Sequence, residues 1–175
     1  MDSGSQRTYV TSHLRDQLNL PTMGTESLRI KTFGATETQN TSCDLIELGV
    51  KVEGNETLKL SALVVPFICN PLTSQPINHS KQSYDQLIGL ELADSAEVSD
   101  VLEIDLLIGS DSYWDLVTGQ VIRGDSGPTA IRTKVGWILS GPANHLEVSV
   151  NLTVASTHIL KIDICSQWNQ LWMIA

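Results

Sequence analysis

The sequence predicts a mostly β domain with a few short helices, and three observations carry that prediction. Apolar residues alternate with polar ones at Ile46, Leu48, Val50 and Val52, and again at Leu58, Leu60, Ala62 and Val64. Glu53-Gly54-Asn55 lies between the two runs as a turn, which makes them a hairpin. Ile104 to Ile108 is continuously apolar except at Asp105, the mark of a buried strand. A chain of 175 residues that is 41% hydrophobic suits one globular domain, with room for a tail.

Taken in order, Tyr9-Val10 closes a short strand after the turn at Asp2-Ser3-Gly4. Thr11 then reads as the N-cap of a short helix with Leu14 and Leu18 on one face, stopped by Asn19-Leu20-Pro21. Leu28 and Ile30 alternate with Arg29 and Lys31 in a strand from Ser27, and Phe33-Gly34 opens a polar hairpin tip that runs to Ser42. Residues 70–100, with Pro71, Pro76 and several Ser and Asn, read as a long surface loop with one short helix from Tyr84 to Ala93. Ser110 or Asp111 can cap a helix that carries Tyr113-Trp114 and Leu116-Val117, and all three aromatics Tyr113, Trp114 and Trp137 are expected in the core. Val121-Ile122 and Ala130 to Leu139 form a last hairpin. Residues 143–175 are mixed and polar, a tail or linker.

Charge and composition exclude several functions. A net charge of -9 argues against a nucleic-acid-binding surface, which needs a basic patch. Three cysteines (Cys43, Cys69, Cys165) lack paired spacing, so neither a disulfide framework nor a zinc site is expected. His13, His79, His145 and His158 are scattered, so no metal is expected either. No apolar run approaches membrane-spanning length and no signal peptide precedes Asp2, so an intracellular, cytoplasmic setting is expected. The Asn-x-Ser/Thr triplets at Asn40, Asn55, Asn78 and Asn151 then read as chance.

Two turns invite a catalytic reading. Asp2-Ser3-Gly4 holds a carboxylate in a tight turn that Gly permits, and such a carboxylate can share a proton with a second one and activate water. Gly124-Asp125-Ser126-Gly127-Pro128 looks like a serine-peptidase nucleophile loop or a second aspartic lobe. It has no upstream His-Asp context and follows Arg123 rather than an apolar strand, so it reads as a turn between strands.

Longer strings accompany the first turn: Asp2-Ser-Gly-Ser-Gln-Arg7 with Leu18-Asn-Leu-Pro21, Ile30-Lys-Thr-Phe-Gly34, Ala62-Leu-Val-Val-Pro66, Ile104-Asp-Leu-Leu-Ile-Gly-Ser-Asp-Ser-Tyr-Trp-Asp115 and Thr133-Lys-Val-Gly-Trp-Ile-Leu-Ser-Gly-Pro142. On these the chain resembles a retropepsin-type aspartic peptidase, the peptidase domain of BEL/Pao-type retrotransposon polyproteins. The resemblance covers residues 1–142, and residues 143–175 resemble the connector to a reverse transcriptase.

The resemblance implies a small closed barrel whose flap hairpin covers a cleft, working as a homodimer on a peptide or polyprotein substrate without a cofactor, nucleic acid or membrane. Asp2 would be the catalytic carboxylate, one per subunit, with Ser3 bracing the dyad and Gly4 making the turn. Thr32, Phe33 and Gly34 would belong to the flap, with Phe33 either against substrate or merely exposed at the tip. Ser5 would hydrogen-bond the Asp2 carboxylate, and Leu107, Ile108 and Gly109 would pack beneath the active-site loop.

Two departures stand out. The family has an apolar strand before the catalytic Asp, where this chain has Met1 alone, so the N-terminal strand is expected to be missing. The family often carries Arg after the late apolar-Gly turn, paired with an acid, where this chain has Ser110. An active aspartic endopeptidase and a non-catalytic, peptide-binding remnant are therefore both open readings.

Overall fold

Strand β1 (Tyr9–Thr11) runs directly into helix α1 (Ser12–Gln17), and the junction is fixed by one side chain. Thr11 is extended and accepts from the Leu14 amide at 3.2 Å, capping the helix as its residue type predicts. The Thr11 hydroxyl also donates to Asp105, and its amide donates to the Asp105 carbonyl at 3.0 Å. A computed structural model describes residues 5–30, 39–73, 84–93, 101–141, 159–163 and 170–174.

The expected hairpins form. β2 (Gly24–Ile30) pairs antiparallel with β3 (Gln39–Lys51), and β3 pairs antiparallel with β4 (Thr57–Val65). Ile46, Leu48, Val50 and Leu60 face the core and are essentially excluded from solvent, while Glu47, Lys51, Lys59 and Ser61 face outward. The turn between them places both Gly54 (φ 81°) and Asn55 (φ 62°) in the left-handed region, which Gly and Asn tolerate best.

β4 also pairs in parallel with β1, and β1 pairs antiparallel with β7 (Leu106–Leu107). Between these, β5 (Leu72–Thr73) pairs with β6 (Val101–Leu102). Helix α2 (Ser110–Leu116) follows β7 and leads into a meander of β8 (Val117–Ile122), β9 (Thr129–Thr133) and β10 (Gly136–Ser140). Within 143–175, β11 (Ile159–Asp163) and β12 (Gln170–Ile174) form a hairpin, and β12 pairs in parallel with β7.

The large sheet therefore runs β11-β12-β7-β1-β4-β3-β2. The domain is mostly β, as expected, but among the described residues the expected barrel is not closed. Closure needs the two outermost strands to hydrogen-bond each other, and β11 and β2 lie at opposite ends of an open order. The meander instead forms a second layer. One cluster joins Val10, Leu14, Ile46, Leu48, Leu60, Leu106 and Ile108 to Leu116 and Ile138, so the core lies between the large sheet and the meander.

Three local expectations change. The helix expected over 84–93 is a single 3-10 turn, Asp85–Leu87, and this stretch is partly core: Tyr84 and Leu87 pack with Ala130 in a second cluster. Trp114 is 73% exposed while Tyr113 and Leu116 are buried, because residues three apart share a helix face and Trp114 projects from another. The cap expected from Ser110 or Asp111 is absent, and Gly109 occupies the N-cap position with no side-chain bond. The segment Gly124 to Pro128 is the turn joining β8 to β9, with Gly127 at φ 82°. Among the described residues no helix is long and apolar enough to cross a membrane.

Candidate active site

The register of β1 on β7 pairs Tyr9 with Leu107 and Val10 with Leu106, which brings together the loop before β1 and the loop after β7. Ile108 is buried and anchors the late loop. Gly109 then passes directly over the backbone of Arg7: a Cβ there would lie 2.4 Å from both the Arg7 carbonyl carbon and its oxygen. The next residue closes the contact, since the Ser110 amide donates to the Ser5 carbonyl at 3.0 Å.

Thr8 is the centre of the junction and is fully buried. Its hydroxyl donates to Asp111 Oδ1 at 2.7 Å and accepts from the Gly109 amide at 3.1 Å. Its own amide donates to Asp111 Oδ2 at 3.0 Å, and its carbonyl accepts from the Leu63 amide at 2.9 Å. Every polar atom of Thr8 is thus bonded, as a fully buried polar residue requires. Asp111 lies in the first turn of α2, where the helix dipole favours a negative charge.

Arg7 adds charge to the same place. Its Nη2 lies 2.6 Å from Glu26 Oε1 on β2, and its Nε lies 4.0 Å from Asp111 Oδ2. The two loops therefore bring opposite charges together although Ser110 stands where an Arg was looked for. The cation comes from the early loop and the acid from the late one.

Of the residues expected at the site, Asp2, Ser3 and Gly4, and likewise Thr32, Phe33 and Gly34, lie outside the described residues. Ser5, Leu107, Ile108 and Gly109 are brought together in the junction. The Ser5 hydroxyl donates to the Arg7 carbonyl at 2.7 Å, so its one proton is used within its own turn. Sequence reading missed Thr8, Asp111, Arg7 and Glu26. Asp111 carried a usable signal, an acid two residues after the late Gly, but local reasoning spends such a residue on a helix cap.

Burial raises the pKa of Tyr9, with a neighbouring Cys43 adding to it, and burial likewise raises Cys43, Cys69 and Tyr113. The folded chain holds these protons more tightly than the unfolded one. Their contribution is fully present below the ordinary thiol and phenol pKa values and is lost as pH rises through the raised ones. Melting temperature is accordingly expected to be level between about pH 7 and 8 and to fall above about pH 9. A thermal scan that stays level to about pH 11 would contradict the burial assigned to these groups.

Residues 1–149 match the family described as "Putative peptidase (DUF1758)", and the chain belongs to that family. No curated protein and no solved structure matches the chain.

Proposed function

We propose that this chain is an aspartic endopeptidase of retropepsin type and BEL/Pao retroelement origin, cleaving polyprotein peptide bonds as a homodimer. The observation that carries the reading is the junction of Ser5, Arg7 and Thr8 with Gly109 to Asp111, which gives the chain leaving Asp2-Ser3-Gly4 a fixed base. Catalytic carboxylates need such a base, because small displacements of a reacting group are costly.

In this reading Asp2 of each subunit contributes one carboxylate. Two carboxylates at close range cannot both ionise easily, so the dyad holds one proton and titrates as a pair. The ionised member takes a proton from the shared water, and the protonated member polarises the scissile carbonyl. Ser3 braces the dyad and Gly4 permits the turn. The segment with Thr32, Phe33 and Gly34 lies over an extended substrate that pairs through its backbone. The site works in an intracellular setting and on polypeptide rather than nucleic acid, which the net charge of -9 favours.

The test is cleavage of a broad peptide pool between about pH 4 and 7 by this chain and by its Asp2→Asn variant. Cleavage is expected to fall about a thousandfold or more in the variant. At low concentration the specific activity is expected to rise with chain concentration, as a dimeric site requires. Equal background cleavage by both chains overturns the enzyme reading and leaves a non-catalytic, peptide-binding domain.

A further inference from the structure

Arg7 occupies a position that its value as an ion pair does not explain. Its backbone is held by the Ser5 hydroxyl on its carbonyl and by Gly109 against it, while its side chain leaves the loop and ends on Glu26 of β2. Both partners of that pair are more than a third exposed, and exposed pairs stabilise folds by little. Yet among the described residues the Nε atom of Arg7 is buried with no hydrogen-bond partner, a cost that a freely chosen rotamer would avoid. The guanidinium is thus held by its other contacts in a place that is poor for Nε. Asp111 Oδ2 lies 4.0 Å from Nε, and an approach of about 1 Å would make a hydrogen bond of it.

From this we propose that Arg7 is a positioning residue: its planar fork links β2, through Glu26, to the Asp111 that holds Thr8 and the late loop. This rests on the reading above, in which residues 2–4 are catalytic and β2 leads into the flap segment. A strand displacement at Glu26 then reaches the base of the catalytic turn through one side chain. Lys cannot substitute, since its donors all sit on one nitrogen, which cannot stand at both the Nη2 position beside Glu26 and the Nε position that faces Asp111.

Amide hydrogen exchange on the full chain tests the link without requiring activity. Glu26→Gln removes the charge that anchors Arg7 to β2 and changes no residue of either loop. Exchange in segments 5–8 and 109–113 is expected to rise about tenfold, with segment 129–140 unchanged. Arg7→Lys is expected to keep the melting temperature within about 2 °C and to loosen the same two segments, and the double variant to add nothing further. A rise confined to β2, or an Arg7→Lys chain that exchanges like the original, overturns the proposal.

Where cleavage is measurable, Glu26→Gln is expected to lower kcat about tenfold with KM within about twofold. A change in KM alone overturns the positioning role. If the original chain and Asp2→Asn cleave alike, the endopeptidase reading fails on its own, while the exchange result still decides whether Arg7 links β2 to the loops.

Discussion

Replacing Gly109 by Ala is expected to destabilise the chain by about 3 kcal/mol or more. The reason is space rather than backbone conformation. Gly109 has φ -86° and ψ 176°, ordinary extended values that any residue adopts. The added methyl would lie 2.4 Å from the carbonyl carbon and oxygen of Arg7 and 2.8 Å from its nitrogen. All three are backbone atoms of a loop tied on both sides, by Ser110 to Ser5 and by Thr8 to Asp111, so none can swing aside as a side-chain end would. A domain of this kind has about 5–15 kcal/mol in total, and Gly109→Val is expected to leave little folded protein.

Two other glycines serve as controls. A methyl at Gly124 would meet the amide end of Gln86, which can rotate away, so Gly124→Ala is expected to cost less. Gly54 has open space but φ 81°, and Gly54→Ala is expected to cost about 1 kcal/mol from backbone strain alone. Urea unfolding midpoints at constant slope give the comparison. A Gly109→Ala loss under about 1 kcal/mol would mean that the Arg7 backbone yields, and that the two loops are less firmly joined than their contacts imply.

What the sequence could say depended on how far apart the interacting residues lie. The hairpin of β3 and β4 was legible because its alternation and its Gly54-Asn55 turn are local. Helix α1 was legible for the same reason, its cap being Thr11 and its buried residue Leu14. Closure of the barrel was expected only from resemblance, and which edges pair is decided by strands far apart in the chain. Leu87 was hidden in a polar, proline-rich stretch, and only the meander that covers it makes it core. The Thr8 and Asp111 pair spans a separation of 103 residues, which no window on the sequence detects. The site's support was thus half legible: the apolar-Gly turn announced itself, and the polar atoms that bind it to the early loop did not.

Those polar atoms make the second large prediction. Thr8→Val keeps the side-chain shape and removes one oxygen, and it is expected to cost about 2–4 kcal/mol. The oxygen serves two partners in a fully buried position: it donates to Asp111 Oδ1 and accepts from the Gly109 amide. Its loss removes a charge-assisted bond and leaves a buried amide without an acceptor, and each of these is costly by itself. Thr8→Ser keeps the oxygen and loses only a methyl, so a cost of about 1 kcal/mol is expected. Asp111→Asn replaces one acceptor oxygen by an amide NH2 that faces a Thr8 donor, and it is expected to cost about 2 kcal/mol. Because both changes break the same bond, the double variant is expected to fall short of their sum by about 1 kcal/mol or more. If Thr8→Val unfolds within about 0.5 kcal/mol of the original chain, the hydroxyl does not join the loops. The Gly109 contact would then be the junction's principal support, and the Gly109→Ala measurement would decide how much of it that contact carries.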